Sequence, residues 1–166
     1  MGMLTPVAIR IGALSWMPKL LRQITWIDKQ VQRLTRGRWS ILRIAGLPNL
    51  MLTVVGRKSG TPRSTPLLCV PYESGQLIAG SNFGGPKAPV WVVNVRAADH
   101  VTVTVGGVSH EATAREISGE ERDRVWQHML RTWPNYAKYA ERTDRVIPVF
   151  LLEPSVVEVP RSDAGA

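Results

Sequence analysis

Residues Val101 to Ile117 constrain the fold more than any other stretch of this chain. Val101-Thr-Val-Thr-Val105 alternates apolar and polar side chains, Gly106-Gly107 follows, and Val108 to Ile117 continues as an extended run. Alternation with period two sends neighbouring side chains to opposite faces, so one face is built for a core and the other for water. A two-residue Gly-Gly link suits a primed turn, whose positive φ angles glycine adopts without strain, so the segment predicts a β-hairpin and with it an antiparallel sheet. Leu50 to Val55 reads as a short strand before a basic turn. Leu67 to Tyr72 and Leu77 to Ser81 flank Glu73-Ser74-Gly75-Gln76 as a second hairpin, and Ile147 to Leu152 and Val156 to Val159 read as closing strands. The result is a mainly β domain of five or six strands with a few helices (α+β), in which barrel closure is left open. Ser118 and Glu121 make a capping-box pair opening a helix that carries Val125, Trp126, Met129, Leu130 and Trp133 on one side. Val90 to Val95, rich in β-branched residues, reads as extended on propensity.

Charge divides the chain. Residues 1–46 hold eight cations against Asp28 alone, a balance of +7, while the remaining residues hold 13 cations and 12 anions, a balance of +1. Thr5-Pro6 and Pro18 offer helix starts, and Met17, Leu20, Leu21, Ile24, Ile27, Val31 and Leu34 recur at three- and four-residue steps. This predicts a basic amphipathic helical leader over 1–46, a domain over 47–160 and a frayed tail over 161–166. With Trp16 and Trp26, the leader suits either an anionic membrane surface or packing on its own domain. Arg10, Lys19 and Arg22 interrupt the apolar N-terminus, so no membrane span is expected, and a signal peptide fits poorly. Cytoplasm is the expected compartment, with a peripheral seat at the inner face of the cell membrane if the leader binds lipid. Cys69, the single cysteine, excludes an internal disulfide and reads as a small buried hydrophobe. His100, His110 and His128 are isolated, which argues against a metal site, and no nucleic-acid module is evident.

Chemistry concentrates between Val54 and Leu68. Gly56 and Gly60 let backbone approach a ligand, Ser59, Thr61 and Ser64 can donate hydrogen bonds, and Arg57, Lys58 and Arg63 can neutralise phosphate or carboxylate. The G-x-x-x-x-G-K-[ST] and G-x-G-x-x-G spacings are missing, so ATP and NAD are not indicated. A solvated basic turn between two strands is the plain alternative. A second segment, Ser81 to Arg96, runs from a Gly/Pro-rich loop into an apolar element with Trp91 and Asn94.

The order G-R-K-S-G-x-P-R-x-x-P, then S-N-x-G-G-x-x-x-P-x-W-x-x-N, then Y-x-x-Y-x-x-R-T-D-R-x-I-P resembles the deazaflavin (F420)-dependent nitroreductase family over about residues 47–154. That resemblance implies a split β-barrel of the FMN-binding, pyridoxamine-phosphate-oxidase-like type, and a helix rather than a strand after Pro89. It implies coenzyme F420, with FMN the alternative on the same fold. By the match, Arg57, Lys58, Ser59, Gly60, Arg63, Ser64, Thr65, Pro66, Leu67, Ser81, Asn82, Trp91 and Asn94 hold the cofactor. Ser81, Tyr136 and Tyr139 fall at catalytic positions, with Leu68 and Trp133 completing the substrate pocket. The implied activity is hydride transfer from reduced deazaflavin to a quinone, enone or nitroaromatic, with a carrier protein that does not turn over as the other class. Leu68 and Val92 stand where family members often carry aromatics, and Trp133 stands where another pocket tyrosine is common, so nitro-prodrug reduction does not transfer.

Overall fold

The computed structural model describes residues 46–155 together with the helical positions Ile27, Gln30, Val31 and Leu34. Seven strands follow in chain order: β1 (Asn49–Val55), β2 (Pro62–Leu68), β3 (Val70–Tyr72), β4 (Gly75–Ala79), β5 (Val101–Val105), β6 (Val108–Ile117) and β7 (Val149–Pro154). Within residues 46–155 three α-helices accompany them: α1 (Val90–Val95), α2 (Gly119–Thr132) and α3 (Asn135–Glu141). All pairings are antiparallel, in the spatial order β2-β1-β5-β6-β7-β4-β3.

That order decides the question of closure. β2 and β3 lie at opposite ends of the sheet, yet Cys69 alone separates them in the chain. Residues two apart stand at most about 7 Å from each other, so the two edges belong to one bent strand and the sheet curls round into a split barrel. The Cys69 amide, no longer in either ladder, donates to the Pro48 carbonyl at 3.1 Å.

The sheet has two apolar faces. Leu50, Leu52 and Val54 of β1, Val101 and Val103 of β5, Ala112, Ile78, Phe150 and Leu152 enclose one core with Trp91, Val92 and Val95 of α1. The alternate residues Leu77, Ile117, Val149 and Leu151 turn the other way and pack with Val125 and Met129 of α2, Trp133 in the link that follows it, and Tyr136 and Tyr139 of α3. Each large side chain removed from water contributes about 1.5–3 kcal/mol before entropy is set against it.

The Val101–Ile117 hairpin forms as expected, with Gly106 and Gly107 at φ 60 and 90. The other hairpin turns on Glu73 and Ser74 alone, because Gly75 already pairs with Tyr72. Val90–Val95 is a helix, against its β propensity and in line with the family resemblance. Its buried positions are Trp91, Val92, Asn94 and Val95, while Val90 and Val93 are exposed, a pattern of helical rather than twofold period. Pro89, at φ −59, sets its first turn. The capping box does not form: Ser118 occupies the N-cap without a side-chain bond, and Arg115 takes Glu121 in a two-bond fork at 2.8 and 2.9 Å. Of the leader's apolar stripe, Ile27 is 46% and Leu34 is 83% exposed. Val31 is half-buried. The stripe's remaining positions, the expected strand over 156–159 and the tail lie outside the described residues. Among the described residues, no helix is long and apolar enough to cross a membrane.

Candidate active site

The basic segment is the loop between β1 and β2. Residues 56–61 close on themselves: the Gly56 amide donates to the Thr61 carbonyl at 2.9 Å, and the Ser59 and Gly60 amides donate to the Gly56 carbonyl at 3.1 and 2.8 Å. Gly60, at φ 64, makes the left-handed step that a Cβ would strain. At Gly56 a Cβ would stand 2.6 Å from Ser59 Oγ and 3.1 Å from Arg63 Nε, so a hydroxyl and a guanidinium converge over the bare backbone. Arg57, Lys58 and Arg63 are exposed, and no carboxylate pairs with any of them among the described residues. Such a donor set fits an anion.

Asn94 ties this loop to α1. Its side chain is 5% exposed, and Oδ1 accepts the Arg57 amide at 3.2 Å. Trp91, one turn earlier, is buried edge-on against Phe150 with ring centroids 5.8 Å apart. Along β2 the strand period divides the expected cofactor residues. Arg63, Thr65 and Leu67 oppose Val54, Leu52 and Leu50 on the core side, whereas Ser64, Pro66 and Leu68 oppose Thr53, Met51 and Asn49. The Ser64 hydroxyl is bonded to that of Thr53 at 2.8 Å.

The second loop follows β4. Ser81 leads into a turn in which Asn82, Phe83 and Gly84 all have positive φ, 48, 54 and 81. A left-handed conformation costs roughly 1–2 kcal/mol for a residue with a Cβ, so surroundings must hold it. A Cβ on Gly84 would meet the Tyr139 carbonyl at 2.6 Å, which shows how closely the turn is pressed to α3. Phe83 stacks obliquely on Tyr139 at 5.3 Å, and Asn82 Nδ2 donates to the Lys87 carbonyl at 2.9 Å. Gly80 lies under Val92 of α1, so this short helix touches both loops.

The phenols lie in the outer core. Tyr136 and Tyr139 are 4% and 2% exposed, their rings 6.1 Å apart and nearly perpendicular, with Trp126 against Tyr136 and the Arg142 guanidinium over Tyr139. Burial pushes the Tyr139 phenol up to about 12, opposed by hydrogen bonding from Trp133 and the charge of Arg142. Burial, then the neighbouring Tyr139 and Cys69, drives Tyr136 well above the ordinary phenol range. The Cys69 thiol, 3% exposed, is raised by burial from 9.0 to about 12, as an inert structural thiol would be. Leu68 and Trp133 join the same cluster. Expected residues thus form two groups, the anion loop with Asn94, and Leu68, Trp133, Tyr136 and Tyr139 with the loop after Ser81. No group of histidine, cysteine and carboxylate side chains suited to a metal occurs among the described residues.

Against this geometry, comparison with known proteins is decisive. The F420H2-dependent quinone reductase family model matches residues 22–154. The chain belongs to the F420H2-dependent quinone reductase family. It is therefore an F420-dependent reductase, and coenzyme F420 is its cofactor. An F420H2-dependent quinone reductase of Mycobacterium tuberculosis is 34% identical over 134 residues, covering 78% of this chain and 89% of the relative. A solved F420-H2-dependent reductase is 40% identical at a TM-score of 0.59, covering 64% of this chain and 94% of its own. Another solved chain, described as a domain-swapped dimer, is 36% identical at a TM-score of 0.62, covering 77% and 97%.

Arg145 has no role in the motif reading, although it stands in the T-D-R-x-I-P of this reductase. Its side chain caps the carbonyls of the second loop. No local pattern signals this, because the partners lie 60 to 65 residues away in the chain.

Proposed function

We propose that this reductase passes hydride from F420H2 to quinones, with the Gly56–Thr61 loop and Arg63 taking the phosphate and glutamate tail, and Ser81, Trp133, Tyr136 and Tyr139 serving the acceptor. The convergence of Ser59 Oγ and Arg63 Nε over Gly56, beside cations without carboxylate partners among the described residues, carries this reading. Bound there, the reduced deazaflavin supplies a hydride from its C5 carbon. Arg57, Lys58 and Arg63 neutralise the tail, and Asn94 holds the loop through the Arg57 amide. Trp91 and Asn94 back the ring from α1, and Asn82 and Leu67 complete its surroundings. Hydride transfer leaves negative charge on the acceptor oxygen. Tyr139, raised to about 12, stays neutral at physiological pH and therefore stabilises that oxygen by donating a hydrogen bond, while water supplies the proton. The same chemistry extends to enones and nitroaromatics, ranked after quinones because Leu68 stands where an aromatic is common at the pocket.

Side-by-side titration with F420 and FMN, followed by F420H2 oxidation with a soluble naphthoquinone, tests this. Saturable binding of F420 below tens of micromolar with quinone-dependent turnover is expected. Preference for FMN, or binding without turnover, would replace the reading with a flavin enzyme or a carrier.

Residues 1–46, as a separate basic leader, give the enzyme a seat on an anionic membrane at the cytoplasmic face. The 83% exposure of Leu34 and the +7 balance support this. Sedimentation with anionic vesicles should fall on removing the leader and at high salt, and equal sedimentation of both forms would reject it.

A further inference from the structure

Arg145 is the last charged residue before β7, and no carboxylate pairs with it among the described residues. Its guanidinium instead spans the second loop: Nη1 donates to the Gly80 carbonyl at 3.0 Å, Nη2 to the Ser81 carbonyl at 2.7 Å and Nε to the Gly85 carbonyl at 3.0 Å. Between these points run the left-handed residues Asn82, Phe83 and Gly84. Asparagine and glycine tolerate that region, but phenylalanine does not without support. The turn's own bonds, Gly84 amide to Ser81 carbonyl at 3.0 Å and Gly85 amide to Asn82 carbonyl at 2.8 Å, are local and face competition from water once the turn opens. The neighbouring Arg142 reaches the Phe83 carbonyl only at 3.5 Å.

We propose that Arg145 is a positioning residue whose fork holds the Gly80–Gly85 turn in its left-handed form and so sets where the Ser81 hydroxyl and the Phe83-backed Tyr139 ring stand. The inference rests on the acceptor role given to Ser81 and Tyr139. Arg145 acts on turnover through those residues without touching the acceptor. A planar fork is needed because three carbonyls are bridged at once, which the point charge of lysine cannot reproduce. Burial also draws the guanidinium below its ordinary range, a cost that the three carbonyl bonds offset.

Arg145→Lys and Arg145→Ala test this in the full chain by amide hydrogen exchange over residues 80–89, with the Val101–Ile117 hairpin as internal reference. Exchange in the turn should quicken about tenfold in both variants while the hairpin is unchanged. Turnover with naphthoquinone should fall about tenfold or more, and by more than F420 affinity does, because Asn82 is the turn's own contribution to the coenzyme while Ser81 and the Tyr139 ring serve the acceptor. Guanidinium ion at tens of millimolar should restore part of the rate to Arg145→Ala and none to Ser81→Ala. Unchanged exchange in the turn, an equal rise in the hairpin, or full activity in Arg145→Lys would each overturn the proposal. Wild-type protein that does not turn over quinone would sink the acceptor reading, while exchange still judges the clamp.

Discussion

The two loops at the site are held by opposite means. Residues 56–61 are closed by three backbone bonds within their own span and, among the described residues, are hydrogen-bonded outside it through Asn94. The turn after Ser81 contains three consecutive positive-φ residues and is held from the far side of the chain by Arg145, Pro148 and α3. A self-closed loop with exposed cations offers charge to an anion, and changes at its side chains stay local. A strained turn braced from elsewhere transmits every change in its supports to the groups it carries. Substitutions at the anion loop should therefore act on binding, and substitutions around the second loop on turnover.

The largest effect should come from Tyr139→Phe, which keeps ring volume and deletes one donor. Steady-state oxidation of F420H2 should slow by about 10²-fold, with coenzyme affinity unchanged. Because the folded phenol is raised to about 12, the wild-type rate should show no downturn from phenol ionisation between pH 7 and about 10. Wild-type rates in the variant would move Tyr139 from chemistry to packing and break the contrast between the loops.

Stability should follow the same burial. Cys69 and Tyr139 are both raised to about 12 in the fold, so the unfolded chain loses these protons first, the thiol from about pH 9 and the phenol from about pH 10. Unfolding free energy should be unaffected by these groups below pH 9 and then fall as pH rises toward 12, by up to about 1.4 kcal/mol per pH unit for each group. Urea titrations at pH 8, 10 and 11 check this, and Cys69→Ala should flatten the part of the slope that begins near pH 9.

At the anion loop, Lys58→Ala and Arg63→Ala should each weaken F420 binding about tenfold at low salt, and less as salt rises, because solvent reaches both side chains. Turnover at saturating coenzyme should be preserved. A ring-only deazaflavin analogue should bind both variants like wild type, and equal losses for analogue and coenzyme would point to misfolding. Asn94→Ala should have the smallest effect. It frees the Arg57 amide at a cost of about 1 kcal/mol, read as a several-fold rise in the dissociation constant with the melting temperature little changed.

Features that depend on neighbours in the chain were legible in the sequence. Alternation and a Gly-Gly link determined the Val101–Ile117 hairpin, because twofold periodicity and positive φ are local properties. Clustered cations and glycines marked the loop at 56–61 for the same reason, and the ordered motifs carried the family and its coenzyme. Tertiary structure decided the rest. Barrel closure depends on Cys69 joining two sheet edges that no local pattern relates. Val90–Val95 became a helix because burying Trp91, Val92, Asn94 and Val95 together outweighed the preference of valine for strands. Glu121 left its capping position because Arg115 offered a two-bond partner across the sheet-to-helix junction. Arg145 acquired its three carbonyls only when chain more than fifty residues away came to lie beside it, since a side chain's partners are set by proximity in space, which sequence order does not encode.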